Sequence, residues 1–448
     1  MSAGTTARSV RRAEGVDKVR ALQRVLYRSA KQDPTRRFHA LYGHVARSDV
    51  MWRAWVDVST NGGAPGVDGV SIDAIGQKGV AGVRAFLDAL AAELRAGTYR
   101  PQPLRRVHIP KPGKPGATRP LGIPTVRDRV VMAAAKIVLE PIFEADFLPA
   151  SFGFRPKRSA HMAIEAVRVE ANRGANWVLD ADIKACFDCI DHDRLMALVA
   201  RRVADRSMLK LLRSWLRAGV FEGGVISELG SGTPQGSPIS PLLANIALHR
   251  LDEAWQADGQ RLGVLVRYAD DFVVLCRTPQ RAEEARRRAA DALAPLGLQL
   301  NPEKTRIVRL TRGAEGFDFL GFHCHKVESW KWKGRWYLQR WPSARAMHSI
   351  RAKVRAETDR RHVGADLSTV VERLNPVLRG WGNYFRHANS ARKFALVDSY
   401  VHERLAILAS NKHALSGRNW ASRYNGVWFR RLGVHKLTGT VRYGTANA

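Results

Sequence analysis

Two pairs of aspartates in the sequence each accompany an apolar segment, and their type and spacing suit divalent-metal chemistry. Asp180 and Asp182 lie near the end of segment 177–183, and Asp270 and Asp271 follow a second apolar segment. Carboxylates this close repel one another unless a divalent cation lies between them. Two Mg²⁺ ions about 3.5–4 Å apart can hold both reacting oxygens of an in-line phosphoryl transfer. The alternative is a solvated acidic turn; we favour the metal, because these acids end apolar strands of a basic chain.

These acids need regular elements to position them. Residues 262–268 and 272–276 are apolar runs around an acidic turn, which predicts a β-hairpin, and 177–183 is a third strand. The helical spacing of apolar residues and the turn residues predict the other elements. They are two helices within 16–60, helices at 81–96, 128–140, 160–171, 194–216 and 282–293 and from Pro241, strands at 107–110 and near 305 and 317, and a mainly helical region after Lys326.

The second helix within 16–60 has the clearest start signal of the predicted helices. Asp33 is the expected N-cap and Pro34 the first helical residue. Apolar residues then follow at helical spacing as far as Val45. The helical pattern ends at the turn-rich segment 61–69.

Composition points to a folded chain with a polyanionic partner. The 448 residues include 73 Lys and Arg against 41 Asp and Glu, a net charge of +32, and 45% are hydrophobic. That length suggests two to four domains, and the hydrophobic fraction excludes wholesale disorder. No apolar run reaches the roughly 18 residues of a membrane span. Four cysteines suit a cytoplasmic protein. Nucleic acid is the expected partner, and an Arg-rich proteome bias is the alternative.

The positive charge is concentrated towards the C-terminus. From Lys326 onward, 24 Lys and Arg face 7 Asp and Glu, and seven of the twelve tryptophans lie there. Cations interleaved with aromatic rings suit a surface that neutralises phosphates and stacks on bases. The alternative is a small Trp-based core with a solvated basic rim, and both can hold. We expect one helix here to bind RNA through Arg351, Lys353 and Arg355, with Met347, Ile350 and Val354 on its apolar side.

Three motifs in order resemble those of reverse transcriptases. Residues 267–272, Arg-Tyr-Ala-Asp-Asp-Phe, resemble the YADD signature, and 180–188 resemble the first acidic motif of that family. Residues 232–245, with Pro-Gln-Gly at 234–236, resemble the motif between them. The resemblance implies an α+β fold: a right-hand polymerase, with an antiparallel sheet and helices in fingers and palm, followed by a mainly helical thumb/maturase domain.

Further motifs resemble the bacterial group II intron-encoded reverse transcriptase/maturases. They are 61–69, 109–111 with 119–124, 151–156, 319–322 and the maturase-like 374–385. The implied division is a helical N-terminal extension at 1–60, fingers and palm at 61–325, a thumb/maturase domain at 326–412 and a basic, DNA-binding segment at 413–448. No cysteine follows Cys324, so the HNH endonuclease of many relatives is not expected. The Cys-x-x-Cys at 186–189 and His-Cys-His at 323–325 are interpreted as structural.

The resemblance also implies roles for individual residues. Asp182, Asp270 and Asp271 match the catalytic, metal-binding acids, and the Ile183 carbonyl assists one metal. The implied nucleotide-binding residues are Lys111 and Arg119 on the triphosphate, Phe187 beneath the sugar, Gln235 at the nascent pair and Lys304 as proton donor to pyrophosphate. A core Phe187 and a solvated Lys304 are the alternatives. Arg379 and Trp381, in the maturase-like segment, are expected to bind RNA.

The resulting hypothesis is an RNA-directed DNA polymerase of group II intron type. It would use two Mg²⁺ ions, an RNA template (the intron RNA in the leading interpretation), a DNA primer or target and dNTPs, and would act as a maturase in splicing and mobility. Two alternatives remain open: a free-standing enzyme of DNA repair or phage defence, and an RNA-binding splicing cofactor. The retained acids argue against the second.

Overall fold

The computed structural model describes residues 17–110, 116, 118–222, 225–227, 236–311, 315–413 and 423–442. The helices are α1 Lys18–Gln32, α2 Tyr42–Val45, α3 Ser48–Asn61, α4 Ile72–Gly76, α5 Gly79–Ala96, α6 Val126–Glu144, α7 Ala160–Asn172, α8 Cys186–Cys189, α9 His192–Ala200, α10 Arg206–Leu216, α11 Ser240–Ala257, α12 Pro279–Leu293, α13 Ala344–Glu357, α14 Leu367–Phe385, α15 Ala391–Lys412 and α16 Gly426–Arg431. The strands are β1 Leu104–Pro110, β2 Thr118–Ile123, β3 Trp177–Asp182, β4 Val220–Glu222, β5 Val225–Ser227, β6 Gly263–Tyr268, β7 Asp271–Cys276, β8 Arg306–Arg309, β9 Phe317–Phe319, β10 Phe322–Glu328 and β11 Trp336–Pro342.

A four-stranded antiparallel sheet forms the centre of the molecule. Its strand order is β6-β7-β3-β8, so the predicted hairpin β6–β7 lies beside the predicted strand β3. β7 is buried from Phe272 to Cys276, as its unbroken apolar sequence requires of a central strand. This sheet confirms the strands expected at 177–183, 262–268 and 272–276.

Two further sheets, of four and of three strands, accompany the central sheet. The first has the order β2-β1-β4-β5, in which β1 and β2 form an antiparallel hairpin and β1 pairs parallel with β4. The second has the order β11-β10-β9 and precedes helices α13 to α16. The mixture of antiparallel sheets and helices, with a helical C-terminal region, confirms the predicted α+β class.

The helix predicted from Asp33 is wrong. Asp33 instead ends α1 as its C-cap, and its carboxylate accepts hydrogen bonds from the backbone and hydroxyl of Thr35. A capping aspartate that bonds its own turn favours an irregular segment over a new helix. The helices resume only where the Asp205 carboxylate accepts the backbone N–H groups of Leu41 and Tyr42, each at 2.7 Å.

The single helix predicted over 194–216 is also wrong, because it is two helices, α9 and α10. Asp205 separates them by accepting the N–H of Met208 as the N-cap of α10. The same carboxylate holds Leu41 and Tyr42, so a long-range contact decides the break. The region after Lys326 is mainly helical as expected, although it also contains β11, which pairs along its whole length with β10.

Helix α6 is a core helix of the folded chain. Fifteen of its residues are buried, among them the polar pair Asp128 and Arg129. Among the helices of the described ranges, none is both long and apolar enough to cross a membrane.

Candidate active site

The central sheet brings the two predicted acid pairs to one edge. Asp182 ends β3 and Asp271 begins β7, and the antiparallel register places these residues directly opposite each other. Directly opposed residues of an antiparallel pair have Cβ atoms about 4.5–5.5 Å apart. Asp270 precedes Asp271 in the tight turn after β6, where Ala269 has a φ of +58°. The three residues predicted to be catalytic therefore lie together.

Electrostatic repulsion links these carboxyls. Desolvation by the surrounding protein, followed by repulsion from Asp270 and from Asp182, raises the pKa of Asp271 to about 7, although the residue is exposed. Desolvation is also the larger cause that raises the pKa of Asp270, and repulsion from Asp182 adds to it. A cation between the carboxylates would relieve this repulsion. Within the described ranges, however, no three His, Cys, Asp or Glu side chains already form a group that could hold a metal ion.

Two cations predicted to touch the substrate lie near these acids. The Lys304 ammonium donates to Asp182 Oδ2 at 2.7 Å, and Asn301 Nδ2 reaches the same oxygen at 3.2 Å. Lys304 also acts to lower the pKa of Asp270 and Asp271. Arg119, exposed on β2, likewise acts to lower the pKa of Asp270, so its charge faces this edge of the sheet. Lys304 is thus the partner of a carboxylate, while 55% of its side chain is exposed to solvent.

The remaining predicted nucleotide-binding residues are described only in part. Ile183 is buried, and its backbone forms an isolated bridge with Leu300. Lys111 and Gln235 lie outside the described residues, and of Phe187 only the backbone, in α8, is described. Gly236, next to Gln235, has a φ of +114°, and a Cβ there would meet the Gly122 carbonyl oxygen at 2.7 Å. That contact joins the 232–245 motif to β2.

A buried ion pair supports the turn that contains Ala269 and Asp270. Arg267, fully buried on β6, donates from Nε and Nη2 to both carboxylate oxygens of Asp252, at 2.8 and 2.5 Å. Its Nη1 donates to Asn245 Oδ1 at 3.1 Å and to the Ala269 carbonyl at 2.9 Å. Although burial acts to raise the pKa of Asp252, attraction to Arg267 outweighs it, and the pKa is lowered. Arg267 therefore fixes the residue that precedes Asp270.

The 151–156 motif closes the other side of this turn. Asn245 Nδ2 donates to the Gly153 carbonyl at 2.8 Å, and the Phe152 N–H donates to the Arg267 carbonyl at 2.8 Å. A Cβ on Gly153 would overlap the backbone nitrogen of Ala269. Only glycine allows this approach between two backbones.

Sequence reasoning did not identify Arg267, Asp252 and Asn245 as supports of the site. One signal was present: an arginine within an apolar strand must find a buried partner, because an unpaired buried charge is very costly. The identity of that partner could not be read from the sequence, since Asp252 and Asn245 lie on α11.

The predicted RNA-binding residues lie well along the chain from the acids, on α13 and α14. Arg351, Lys353 and Arg355 are exposed on α13, and the opposite face buries Met347, Ile350 and Val354 as expected. The Arg351 guanidinium lies 5.6 Å from the centre of the Tyr400 ring. Helix α13 therefore packs through its apolar face and exposes a basic face to solvent.

The two residues predicted on α14 differ in exposure. Arg379 is exposed, whereas the half-buried Trp381 packs its ring against Phe385 and Phe394, with ring centres 4.9 and 5.5 Å away. Its indole N–H is buried and has no hydrogen-bond partner among the described residues. The geometry gives Trp381 a packing role in the helical region.

Comparisons with known proteins agree with this arrangement. Residues 109–324 match the family described as reverse transcriptase (RNA-dependent DNA polymerase), and 347–426 match the group II intron, maturase-specific domain. Protein YkfC of Escherichia coli K12 is 35% identical over 347 residues, 69% of this chain and 88% of that protein. The group II intron-encoded protein LtrA of Lactococcus lactis is 39% identical over 218 residues, 48% of this chain and 35% of that protein.

Solved structures show weaker likeness. A partial Cas6-RT-Cas1–Cas2 complex has a TM-score of 0.35 and 24% identity over 56% of this chain and 42% of that one. Telomerase from Candida albicans has a TM-score of 0.41 and 14% identity over 72% of this chain and 60% of the telomerase chain. The family is shown by the two domain matches and by the E. coli relative, which this chain covers to 88% of its length. The chain belongs to the group II intron-type reverse transcriptases, in which an RNA-directed DNA polymerase is followed by a maturase-specific domain.

Proposed function

We propose that this reverse transcriptase extends a DNA primer with dNTPs on an RNA template at one site formed by Asp182, Asp270 and Asp271. The observation that carries the proposal is the register of β3 and β7, which sets Asp182 opposite Asp271 next to Asp270. Three mutually repelling carboxylates at a sheet edge have no structural use that an apolar edge would not serve better.

Two Mg²⁺ ions are the proposed cofactors. The donors fit this ion, because Mg²⁺ prefers carboxylate and carbonyl oxygens and here three carboxylates and the Ile183 carbonyl are available. Burial and then repulsion between the carboxylates raise the pKa of Asp270 and Asp271, and a cation would relieve the repulsion. Bound ions would polarise the α-phosphate and stabilise the attacking and leaving oxygens.

The residues of the chain would act on the substrates as follows. The carboxylates orient the primer 3′-hydroxyl towards the α-phosphorus. Its oxygen forms a new P–O bond while its proton passes to a carboxylate of the site or to water, and the bond to the β-phosphate breaks and releases pyrophosphate. Arg119, whose charge faces Asp270, is suited to attract the triphosphate. Lys304 can give its proton to the departing pyrophosphate after leaving Asp182. Lys111, Phe187 and Gln235 are proposed to complete the nucleotide site.

The maturase-specific region supports a second part of the proposal, binding of intron RNA for splicing and mobility. Its evidence is the domain match and the exposed cations on α13 and at Arg379. We propose the domain limits 1–60, 61–325, 326–412 and 413–448, with the last segment contacting DNA. A cytoplasmic location is proposed with them.

Primer extension on an annealed RNA template tests the polymerase proposal. Asp270→Asn should abolish extension and leave filter binding of RNA nearly unchanged, because this side chain would hold metal rather than the RNA backbone. Asp193→Asn is the matched control, since its side chain is 84% exposed on α9 and pairs only loosely with Arg213. Extension by Asp270→Asn at the level of Asp193→Asn would refute the assignment.

A further inference from the structure

The hairpin between β10 and β11 displays two exposed tryptophans at its tip. Residues 329–335, here called the tryptophan tip, have the sequence Ser-Trp-Lys-Trp-Lys-Gly-Arg. Trp330 is 90% exposed and Trp332 is 54% exposed. Indole rings are rarely left so open to water on a folded protein, and exposed aromatic side chains often mark binding sites.

The tryptophan tip is an ordered turn. A hydrogen bond joins its two ends, because the Ser329 N–H donates to the Arg335 carbonyl at 2.7 Å. Within the turn, the Trp332 N–H donates to Ser329 Oγ at 3.2 Å. Gly334 adopts a φ of +81° and donates its N–H to Glu328 Oε1 at 2.6 Å. Because these bonds fix the backbone, the rings need little further ordering before they bind a partner.

Positive charge surrounds the two rings. Lys331, Lys333 and Arg335 are all exposed, and the acid that precedes the tip, Glu328, already accepts the Gly334 N–H. The Lys331 ammonium lies 5.1 Å and the Arg335 guanidinium carbon 5.5 Å from the Trp332 ring centre. A partner must therefore offer both negative charge and flat faces that can stack on indole.

We propose that the tryptophan tip binds a single-stranded stretch of RNA, with bases stacked on Trp330 and Trp332 and phosphates on the neighbouring cations. Unpaired RNA offers exposed base faces at a spacing that follows its phosphates, and aromatic rings among cations are the usual means of holding it. A duplex hides the faces of its bases in the stack, and an acidic peptide offers few flat ones. This inference concerns a surface remote in sequence from the catalytic acids and does not depend on their chemistry.

The test is binding of a labelled oligouridylate to the full chain, followed by fluorescence anisotropy over a salt series. Replacing both tryptophans with leucine keeps an apolar side chain but removes the ring, and replacing both with phenylalanine restores a ring. From the range for each base–aromatic stack, and with two stacks removed, we expect the double leucine variant to bind at least about 30-fold more weakly and the phenylalanine variant to recover most of the loss. Changing Lys331 and Lys333 to glutamine should make the salt slope shallower by about 0.7 for each phosphate that is no longer neutralised.

Further measurements distinguish unpaired RNA from other partners of the tryptophan tip. The affinity of a fully paired RNA should be the same for the parent and the leucine variant, because its bases are already stacked on one another; an equal loss for paired and unpaired RNA would contradict stacking on the tip. In the parent, photocrosslinking with 5-iodouridine should give adducts at Trp330 or Trp332. Single-nucleotide extension on a pre-annealed primer should be unchanged in the leucine variant, which shows that it is folded. Equal oligouridylate affinity of the parent and the leucine variant would overturn the proposal. So would a leucine variant that binds vesicles of anionic phospholipid less tightly than the parent does but keeps the parent's affinity for oligouridylate.

Discussion

Replacing Arg267 with lysine should slow catalysis far more than it weakens substrate binding. Arg267 makes four hydrogen bonds, two to Asp252 and one each to Asn245 and the Ala269 carbonyl. A lysine keeps the charge but cannot span these acceptors, so the bond to Ala269 is broken and Asp252 keeps one donor at most. With about 1–1.5 kcal/mol for each hydrogen bond removed, the free energy of unfolding should fall by about 2–4 kcal/mol.

The effect on rate follows from the position of Ala269. This residue holds the left-handed φ that carries the chain into Asp270, and its carbonyl would lose its side-chain partner. A displacement of about 1 Å at a reacting group can cost about 100-fold in rate. We therefore expect kcat for single-nucleotide incorporation to fall about 100-fold, with KM for dNTP and for primer–template changed by no more than about threefold.

Arg202→Lys is the matched control. Arg202 is also buried, and it binds Asp146 at 3.2 Å and the Ala30 carbonyl at 2.8 Å. Among the described residues it has no bond to Ala269 or Asp270. Both variants should unfold at lower urea concentration, but only Arg267→Lys should lose kcat per folded molecule. Equal kcat in the two variants would show that the Arg267 network stabilises the fold without positioning the acids.

Three further perturbations should give distinct results. Gly153→Ala should reduce primer extension at least 10-fold because its Cβ would overlap the Ala269 nitrogen, whereas Gly43→Ala, with open space around it, should act as the parent; equal loss in both would contradict this reasoning. Burial lowers the pKa of Lys326 to about 8, so its charged form destabilises the fold below pH 8 by up to about 3 kcal/mol, and this penalty should vanish as pH rises from 8 to 10.5. Urea unfolding of parent and Lys326→Met across that range should show the difference, and a constant difference would refute it. Changing Arg351, Lys353 and Arg355 together to glutamine should make the salt slope of RNA binding shallower by up to about 2 and shorten the cDNA with an unchanged circular dichroism spectrum, whereas a merely solvated basic face would leave both as in the parent.

The palm and its acids could be predicted from sequence because their signals are local. Unbroken apolar runs specify β6 and β7, and the turn between them carries Asp270 within a dense motif. Elements decided by distant contacts could not be predicted in this way. Asp33 shows the difficulty, since Asp-Pro starts many helices, but here the aspartate closes α1 and binds Thr35.

The same reason explains what was missed in the candidate site. The partners of Arg267 lie on another element, and Lys304 reaches Asp182 across 122 positions of sequence. β11 escaped prediction because its aromatic residues were interpreted as a nucleic-acid surface, although aromatic residues also favour strands. These residues form a strand because they pair with β10, which is a tertiary contact.

Counting bound Mn²⁺ by electron paramagnetic resonance tests the central claim most directly: that Asp182, Asp270 and Asp271 form one site holding two divalent ions during RNA-templated DNA synthesis. The parent should be measured with an annealed RNA template, a 3′-deoxy-terminated primer and the next dNTP, and then again as Asp182→Asn, Asp270→Asn and Asp271→Asn. We expect two ions on the parent complex beyond those on the nucleic acid and nucleotide alone, and at least one fewer on each variant. Equal counts on the parent and all three variants would contradict the account.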